Sequence, residues 1–381
     1  METLTNSRAA VDPPAASLPR WVLLNHYVST ADTDPSVADV TTAASSCTSS
    51  GLSFSVSFAP VATPATSRFY CYWIGGAPDE FDHNRKDLRI IAAHDDVVLI
   101  RTSVPDSRSA FCTNDYFLYE TGSAARPPLL SLLPCCDLDM KDTGVLRRGE
   151  GEVIVAQLVV MYDNEKGLRD TAEICVLRQG GDWDLKQLPI VHHEGSKLPK
   201  WPRLDAVIPV GIRFMCWVDY ASGLFVCDIT DTSPEVIRYI ALPVPPPESS
   251  IVVATTTGLI GPTAAICFAF NVTTWTLNLR TEGPIAWVKD GVLDCDELWQ
   301  LPNYGCLPRV APKYPIISSD NPDIICFVIC EKPYLIDDDD ADETEWMLQI
   351  NTRSKELLSV VRGDTNPYID SRLPAKLRWQ Q

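Results

Sequence analysis

Short apolar runs separated by turn residues recur along most of this sequence. Leu52–Phe58 (LSFSVSF) alternates between apolar and polar positions, which predicts a half-buried strand. In Leu88–Val104, two runs rich in β-branched residues flank His94-Asp95-Asp96, and this pattern predicts a hairpin. Ala206–Pro243 has three apolar runs divided by turns that contain Asp, Ser, Gly and Pro, as in a strand meander. The pattern predicts repeated antiparallel strands.

Sustained helical periodicity is scarce, and Asp294–Leu301 (DCDELWQL) is our candidate for a short helical turn. An alternating βαβ architecture is therefore not expected. Corresponding apolar runs recur roughly every 40–60 residues, a spacing typical of four-stranded propeller blades. We predict an all-β fold, a β-propeller-like repeat of short antiparallel strands. Two packed β-sandwich domains, divided near Pro243–Ser250, are the alternative.

The domain organisation follows from where this pattern begins and ends. Residues 1–19 are rich in Ala, Pro, Ser and Thr without periodicity, which predicts a disordered tail. Residues 20–375 are expected to form the propeller-like domain, and 376–381 a second tail. The chain has 381 residues, of which 45% are hydrophobic, enough to bury a large core. Its 30 prolines fit a protein with many turns.

Charge narrows the classes of partner. The chain has 32 basic and 50 acidic residues, a net charge of −18, and no stripe of Lys and Arg. Such a chain is repelled by phosphate backbones and by anionic membrane surfaces. No apolar run reaches the length of about 18 residues that a membrane-spanning helix needs. We expect a protein partner, and neither nucleic acid nor membrane.

Cysteine usage indicates a reducing compartment. The chain has 13 cysteines, several of them inside apolar runs, where cysteine behaves as a small buried hydrophobic residue. No apolar secretory segment precedes them. Reduced thiols in the cytoplasm or nucleus are the simplest interpretation.

The sequence gives only weak signals for catalytic nucleophiles and metal ligands. His192-His193 lies in a polar stretch beside Glu194, but adjacent side chains rarely point the same way. Cys135-Cys136 is a vicinal pair after Pro134, which we interpret as part of a loop rather than as a redox centre. Cys326 and Cys330 lack the spacing and the matching ligands of a zinc site. We expect no metal, no cofactor and no catalytic nucleophile.

Acidic segments offer a calcium site as a further hypothesis. Asp137–Gly144 (DLDMKDTG) has some of the acidic residues of a calcium loop, without the spacing or the flanking helices. Asp337–Glu345 is denser, with acidic residues at 337–340, 342, 343 and 345. Such runs are usually solvated loops, so cation or basic-partner binding by this segment stays open.

Propellers can also be glycosidases that use carboxylates around a central channel. By pattern, Asp219 and Asp228 are the best placed acids, although Asp commonly caps hairpin turns. A hydrolase would need at least two or three carboxylates that converge on a funnel.

The meander around Trp217 resembles the core motif of the plant domain-of-unknown-function family numbered 1618, which is expanded in grasses. We place this core at about residues 205–340. The matching positions are Trp217, Val218, Asp219, Tyr220, Gly223, Cys227, Asp228, Arg238, Tyr239, Ile240, Leu242 and Pro243.

The resemblance, which extends from Pro19 onward, implies a domain similar to the propeller-like domains that follow F-boxes in ubiquitin-ligase adaptors. Residues 1–20 are too short for an F-box, and the family defines no catalytic residues to carry over. We therefore expect a non-enzymatic protein-interaction domain. A carbohydrate-active hydrolase on a propeller scaffold is the alternative.

Overall fold

The structure of the protein is a computed structural model. It describes residues 19, 21–30, 40–74, 88–105, 112–122, 126–149, 151–163, 167–192, 198–230, 234–243, 270–279, 286–318, 320–330, 345–363 and 372–375. Apart from Pro19, both predicted tails lie outside these residues.

Strands dominate the described residues. The first nine are β1 (Val22–Asn25), β2 (Ser29–Thr30), β3 (Ala44–Cys47), β4 (Ser53–Ala59), β5 (Thr66–Trp73), β6 (Leu88–His94), β7 (Val97–Pro105), β8 (Cys112–Glu120) and β9 (Leu129–Leu132). The next eight are β10 (Thr143–Arg148), β11 (Glu152–Asp163), β12 (Gly167–Arg178), β13 (Trp183–His192), β14 (Ala206–Val210), β15 (Phe214–Asp219), β16 (Gly223–Asp228) and β17 (Ile237–Ala241). The last seven are β18 (Asn271–Asn278), β19 (Ala286–Asp294), β20 (Lys313–Ile317), β21 (Ile324–Cys330), β22 (Glu345–Asn351), β23 (Glu356–Arg362) and β24 (Arg372–Ala375).

Helical structure is confined to short segments within the described residues. The helix α1 (Cys295–Trp299) forms where a short helical turn was predicted, and a 3₁₀ turn covers Val40–Thr42. Asp294 caps α1 because its side chain accepts the Glu297 N–H while the Glu297 carboxylate accepts the Asp294 N–H. No helix in this part of the chain is long and apolar enough to cross a membrane.

The all-β prediction is confirmed, and so are several of its elements. The hairpin predicted around His94-Asp95-Asp96 is β6–β7, and Asp95 adopts the positive φ of 52° that its tight turn requires. The Ala206–Pro243 meander is confirmed, but it contains four strands, β14 to β17, where the sequence pattern predicts three. From its sequence (PPLLSLLPCCDLDMKDTG), Pro127–Gly144 is expected to be a loop. That expectation is wrong at two places, because Leu129–Leu132 pairs with the free edge of β8 and Thr143 begins β10.

The strands fall into six consecutive units. Unit 1 has the order β24-β1-β5-β4-β3, with β2 paired to β5. Unit 2 is the meander β6 to β9, unit 3 is β10 to β13, and unit 4 is β14 to β17. The fourth strands of units 3 and 4, β13 and β17, pair in parallel and join the two meanders into one eight-stranded sheet. Unit 5 contains β18, β19 and α1, and unit 6 is the meander β20 to β23.

Among the described residues, six apolar cores connect these units in cyclic order. Successive cores lie between units 1 and 2, 2 and 3, 3 and 4, 4 and 5, and 5 and 6. In the sixth core, Trp21 and Leu23 at the start of the chain contact Cys326, Val328 and Met347 of unit 6. Strand β24 also pairs with β1, so both chain ends contribute to unit 1. The finer prediction of a propeller stays a prediction.

Most central strands are buried on both sides because each unit has a core on either face. In β7, Val98 and Ile100 point into the core shared with unit 1, while Val97 and Leu99 point into the core shared with unit 3. Successive side chains of a strand alternate between faces, so an uninterrupted apolar run fits this environment.

The first strands of units 3 and 4 run in the same direction. Units 3 and 4 are antiparallel meanders whose fourth strands are parallel, so β10 and β14 are parallel in direction too. We call the side on which these first strands begin the upper face. In units 3 and 4 it contains the turns 139–142 and 219–223 and the loop 198–205.

Gly144 allows the close approach of β14 to β10. A Cβ atom at this position would lie 2.5 Å from Val207 Cγ1 and 2.6 Å from Met215 Sδ. We expect Gly144→Ala to lower the free energy of unfolding by about 1–3 kcal/mol through overpacking. Urea denaturation measures this change. Gly291→Ala is the control, because its Cβ would come no closer than 3.6 Å to Thr274 Oγ1. Equal effects of the two substitutions would contradict the prediction.

Candidate binding site on the upper face

Two exposed aromatic rings lie together where units 3 and 4 meet on the upper face. Tyr162, near the end of β11, stacks on Trp201 with ring centroids 5.5 Å apart and an interplanar angle of 25°. Trp201 is 55% exposed and Tyr162 is 36% exposed. An exposed, stacked aromatic pair is a feature that binding sites use, because it provides contact area with little loss of conformational entropy.

The loop that carries Trp201 is fixed by hydrogen bonds on both sides. The Tyr162 hydroxyl donates to the Pro202 carbonyl at 2.5 Å. The Arg203 N–H donates to Asp219 Oδ2 at 3.2 Å, and the Asp205 N–H donates to the Val218 carbonyl at 2.8 Å. Pro202 and Leu204 are buried beneath the loop. The aromatic pair is therefore preorganised.

Asp142 contributes a carboxyl group beside the aromatic pair. Its carbonyl accepts hydrogen bonds from the Trp217 indole N–H at 2.7 Å and from the Leu158 N–H at 3.2 Å, so its backbone is fixed. Burial raises the pKa of the Asp142 carboxyl to about 6, and the nearby charge of Asp139 adds to the shift. Burial also raises the pKa of Tyr162, with additional contributions from the charges of Asp142 and Asp219.

Asp219 has a structural role at this site. Its carboxylate accepts hydrogen bonds from the Ala221 N–H at 2.9 Å, the Ser222 hydroxyl at 2.5 Å and the Arg203 N–H at 3.2 Å. The residue is only 3% exposed. Asp219 therefore closes the β15–β16 turn and anchors the neighbouring loop, as predicted for an Asp that caps a hairpin turn.

Asp219 and Asp228, the acids weighed for a hydrolase site, do not lie together. Asp219 and Asp228 are at opposite ends of the β15–β16 hairpin, since Asp219 pairs with Gly223 and Asp228 pairs with Phe214. Five residue steps along a strand correspond to about 17 Å. Retaining and inverting glycosidases need their carboxylates within about 5–9.5 Å. Hydrogen bonds from Thr230 and Arg213 outweigh burial and hold the pKa of Asp228 below its usual value.

Of the cysteines singled out from the sequence, three are at least partly buried and one is exposed. Cys135 is exposed, whereas Cys136 is half-buried and its thiol contacts that of Cys175. Burial raises the pKa of Cys136, and raises that of Cys175 to about 12, so both thiols stay protonated and are poor nucleophiles. Cys326 and Cys330 are both buried in β21, four residues apart along the strand.

The remaining candidates do not assemble into a site within the described residues. His192 ends β13 opposite Tyr239, and His193 lies outside the described residues. In the segment Asp137–Gly144, the Asp139 carboxylate accepts the Lys141 N–H of its own turn. Glu345 is buried at the start of β22, whereas residues 337–344 of the acidic run lie outside the described part. No cluster of three or more His, Cys, Asp or Glu that could hold a metal ion occurs among the described residues.

Sequence reasoning missed Tyr162 and Trp201, and it considered Asp142 only within the segment Asp137–Gly144, as part of a calcium loop. Trp201 lies between two prolines (Pro199-Lys200-Trp201-Pro202) in an irregular stretch without strand periodicity. A tryptophan in such a polar, proline-flanked loop cannot enter a strand core, and that signal could have identified it.

The raised pKa of Asp142 predicts a pH dependence of stability. The folded-state pKa of Asp142 is about 6, against an ordinary value of 3.8. Folding therefore favours the protonated form of the Asp142 carboxyl. This form contributes its full stabilisation below the pKa of the unfolded state, and the contribution is lost as the pH rises through about 6. Asp142→Asn removes this titration. Denaturant unfolding should show the variant more stable than the parent at pH 8, by about 1 kcal/mol after allowance for solvent screening. The gain in stability of Asp142→Asn over the parent should vanish near pH 4. An equal gain at pH 4 and at pH 8 would contradict this prediction.

Part of the chain matches a known protein family. The family described as "Protein of unknown function (DUF1618)" matches residues 250–326. This match confirms the resemblance to that family, and its described portion covers β18, β19, α1, β20 and the start of β21. The match begins after Trp217–Pro243, the segment in which the resemblance was first seen. No curated protein matches the chain.

Proposed function

We propose that this chain is a non-enzymatic protein-interaction domain that binds its partner on the upper face. The exposed Tyr162–Trp201 stack carries the proposal. Three hydrogen bonds hold the surrounding loop in place before any partner binds. Binding residues on loops that a rigid scaffold positions are the usual arrangement of recognition surfaces.

The scaffold is proposed to be a six-bladed, β-propeller-like ring. Six cores in cyclic order and the pairing of β24 with β1 support it. Two independent sandwich domains divided near Pro243–Ser250 would give two sets of internal cores. Instead, the Trp287 indole N–H donates to the Ala241 carbonyl across that boundary, at 2.8 Å. Residues from both chain ends also meet in one core.

We further propose that the domain acts in the cytoplasm or nucleus. The eleven cysteines whose side chains the structure describes are all free thiols, consistent with a reducing compartment. The net charge of −18 favours a protein partner over nucleic acid or an anionic membrane.

A carbohydrate-active hydrolase is the second candidate, and one observation favours it. Asp142, with a pKa raised to about 6, lies beside an aromatic pair on which a sugar ring could stack. Two observations weigh against it. The nearby Asp219 carboxylate is buried and already accepts three hydrogen bonds. The described first strands β6, β10, β14, β20 and β24 contain no Asp or Glu to line a funnel.

Affinity capture with quantitative mass spectrometry tests the proposal when it compares matched variants. The parent chain, Trp201→Ala and Tyr72→Ala would be used as baits, since Tyr72 is an exposed aromatic on β5 of unit 1. A partner of this face should be enriched by the parent and by Tyr72→Ala but lost with Trp201→Ala, and should bind directly when purified. Partners that all three baits retain equally would argue against the upper face. Hydrolysis of a glycoside that Asp142→Asn abolishes would favour the second candidate.

A further inference from the structure

We propose that the Tyr162–Trp201 stack and the Asp142 carboxylate form a receptor for a lysine or arginine side chain of the partner protein. This inference rests on the proposed function and specifies the chemistry of the partner. It is carried by the exposed aromatic stack and by the position of Asp142, whose backbone carbonyl accepts hydrogen bonds from β11 and β15, the strands that contain Tyr162 and Asp219.

The aromatic part of the site is suited to a cation. The negative face of a Trp or Tyr ring attracts an ammonium or guanidinium group within about 6 Å of its centroid. The Tyr162 hydroxyl already donates to the Pro202 carbonyl, so its hydrogen-bonding capacity is directed into the protein. The accessible surface of the pair therefore belongs mainly to the rings.

Acidic groups slightly outnumber basic groups around the site. The carboxylates are those of Asp139, Asp142, Asp205 and Asp219, and the cations are those of Lys141, Lys200 and Arg203. Arg203 faces Asp205 at 4.0 Å. Donors of the protein satisfy Asp219, and Asp205 accepts the Tyr220 N–H at 3.0 Å.

The Asp142 carboxylate differs from those of Asp205 and Asp219. Among the residues that the structure describes, none donates a hydrogen bond to it. A bound lysine or arginine would supply that hydrogen bond and the opposite charge, which makes a charge-assisted contact.

A sugar fits the same surface less well. Specific carbohydrate binding needs several free donors and acceptors around the aromatic platform. The N–H groups of Arg203, Asp205 and Ala221 that line the site are occupied by Asp219 and by the Val218 carbonyl. The polar group that remains available is the Asp142 carboxylate, and a carboxylate favours a cation as its ligand.

The test measures fluorescence anisotropy of a fluorescein-labelled peptide, GKGKGKGKG, titrated with the full chain. GQGQGQGQG is the uncharged control peptide. We expect the lysine peptide to bind and the glutamine peptide not to bind. Trp201→Ala and Asp142→Asn should each weaken binding about tenfold, whereas Trp201→Phe should retain most of it.

Two matched variants separate the site from general electrostatics. Asp184→Asn removes one negative charge from β13, where Asp184 is paired with Lys186 at 3.0 Å. Tyr72→Ala removes an exposed aromatic ring from unit 1. Both should change the affinity by less than about twofold. Circular dichroism melts of every variant establish that each one is folded.

The pH dependence gives an independent readout. Asp142 lies near Asp139 and Lys141 of its own turn, and its charge acts on Tyr162 of β11, which Asp219 also faces. Asp142 must be ionised to hold a cation, so affinity should rise between pH 5 and pH 7 in the parent and stay level in Asp142→Asn.

Four outcomes would overturn the proposal. Equal weakening by Asp142→Asn and Asp184→Asn would show that bulk charge alone attracts the peptide. Binding of soluble cello- or xylo-oligosaccharides that Trp201→Ala abolishes, without lysine-peptide binding, would assign the surface to sugars. Absence of peptide binding, together with a captured protein partner that needs Trp201, would refute the cation receptor but leave the proposed function standing. If neither peptide nor partner depends on Trp201, both proposals fail.

Discussion

Trp217→Ala is expected to lower the free energy of unfolding by about 3–5 kcal/mol, which is the usual cost of truncating a large buried aromatic. Trp217 is fully buried in the core between units 3 and 4. Its indole N–H also donates to the Asp142 carbonyl at 2.7 Å. The substitution therefore leaves a cavity and removes a hydrogen bond that joins β15 to the turn before β10.

The measurement is the midpoint and slope of urea denaturation, followed by tryptophan fluorescence and circular dichroism. Trp201→Ala is the control within the same chain, because this tryptophan is exposed on the upper face; its effect should stay within about 0.5 kcal/mol. Trp217→Phe keeps most of the apolar volume and loses the hydrogen bond, so it should lie between the two. If Trp217→Ala were no more destabilising than Trp201→Ala, the core between units 3 and 4 would not be as described.

The contrast between these two tryptophans shows what local sequence can predict. Trp217 lies in the apolar run FMCWV, whose pattern predicts a buried strand, and that strand is β15. Alternation and turn residues identified most of the strands for the same reason, because local burial follows a period of two residues. The strand Leu129–Leu132 was missed because its pairing depends on the exposed edge of β8 and not on its own sequence.

Local sequence patterns could predict neither the long-range pairing of the last strand with the first nor the candidate site. Strand β24 pairs with β1 although almost the whole chain separates them, and no periodicity carries that information. The site combines Asp142, Tyr162 and Trp201, which come from three separate segments. Asp219 was identified from its turn pattern, and its capping interpretation proved correct because the carboxylate is used inside the protein. Which residues form an exposed site depends on which segments the fold brings together, and local sequence does not contain that information.

Arg147→Met is expected to destabilise the chain by about 3–5 kcal/mol, because it removes the cation that pairs with the buried Glu120 and the half-buried Asp96. Among the described cations, Asp96 then keeps only the exposed Arg126, at 4.0 Å. Arg147 of β10 is 5% exposed and donates from Nη1 to Glu120 at 3.0 Å and from Nη2 to Asp96 at 3.2 Å. Its backbone N–H donates to His94 Nδ1 at 2.9 Å. These contacts join unit 3 to the β6–β7 turn and to the end of β8 in unit 2. Burial already raises the pKa of Asp96, and Arg147 opposes that shift.

Chemical denaturation at several pH values tests this account. Without the guanidinium, the folded-state pKa of Asp96 should rise further above its unfolded value, so the stability of Arg147→Met should recover as pH falls. Adding Glu120→Gln to Arg147→Met should restore part of the loss, because one uncompensated charge is then removed.

Arg148→Met is the matched control, since Arg148 is substantially exposed and pairs with Glu152 at 3.3 Å; it should cost less than about 1 kcal/mol. An equal loss for Arg147→Met and Arg148→Met, independent of pH, would show that the buried network does not hold units 2 and 3 together. A large, pH-dependent loss confined to Arg147→Met would identify this ion network as a polar connection between neighbouring units, alongside the apolar core they share.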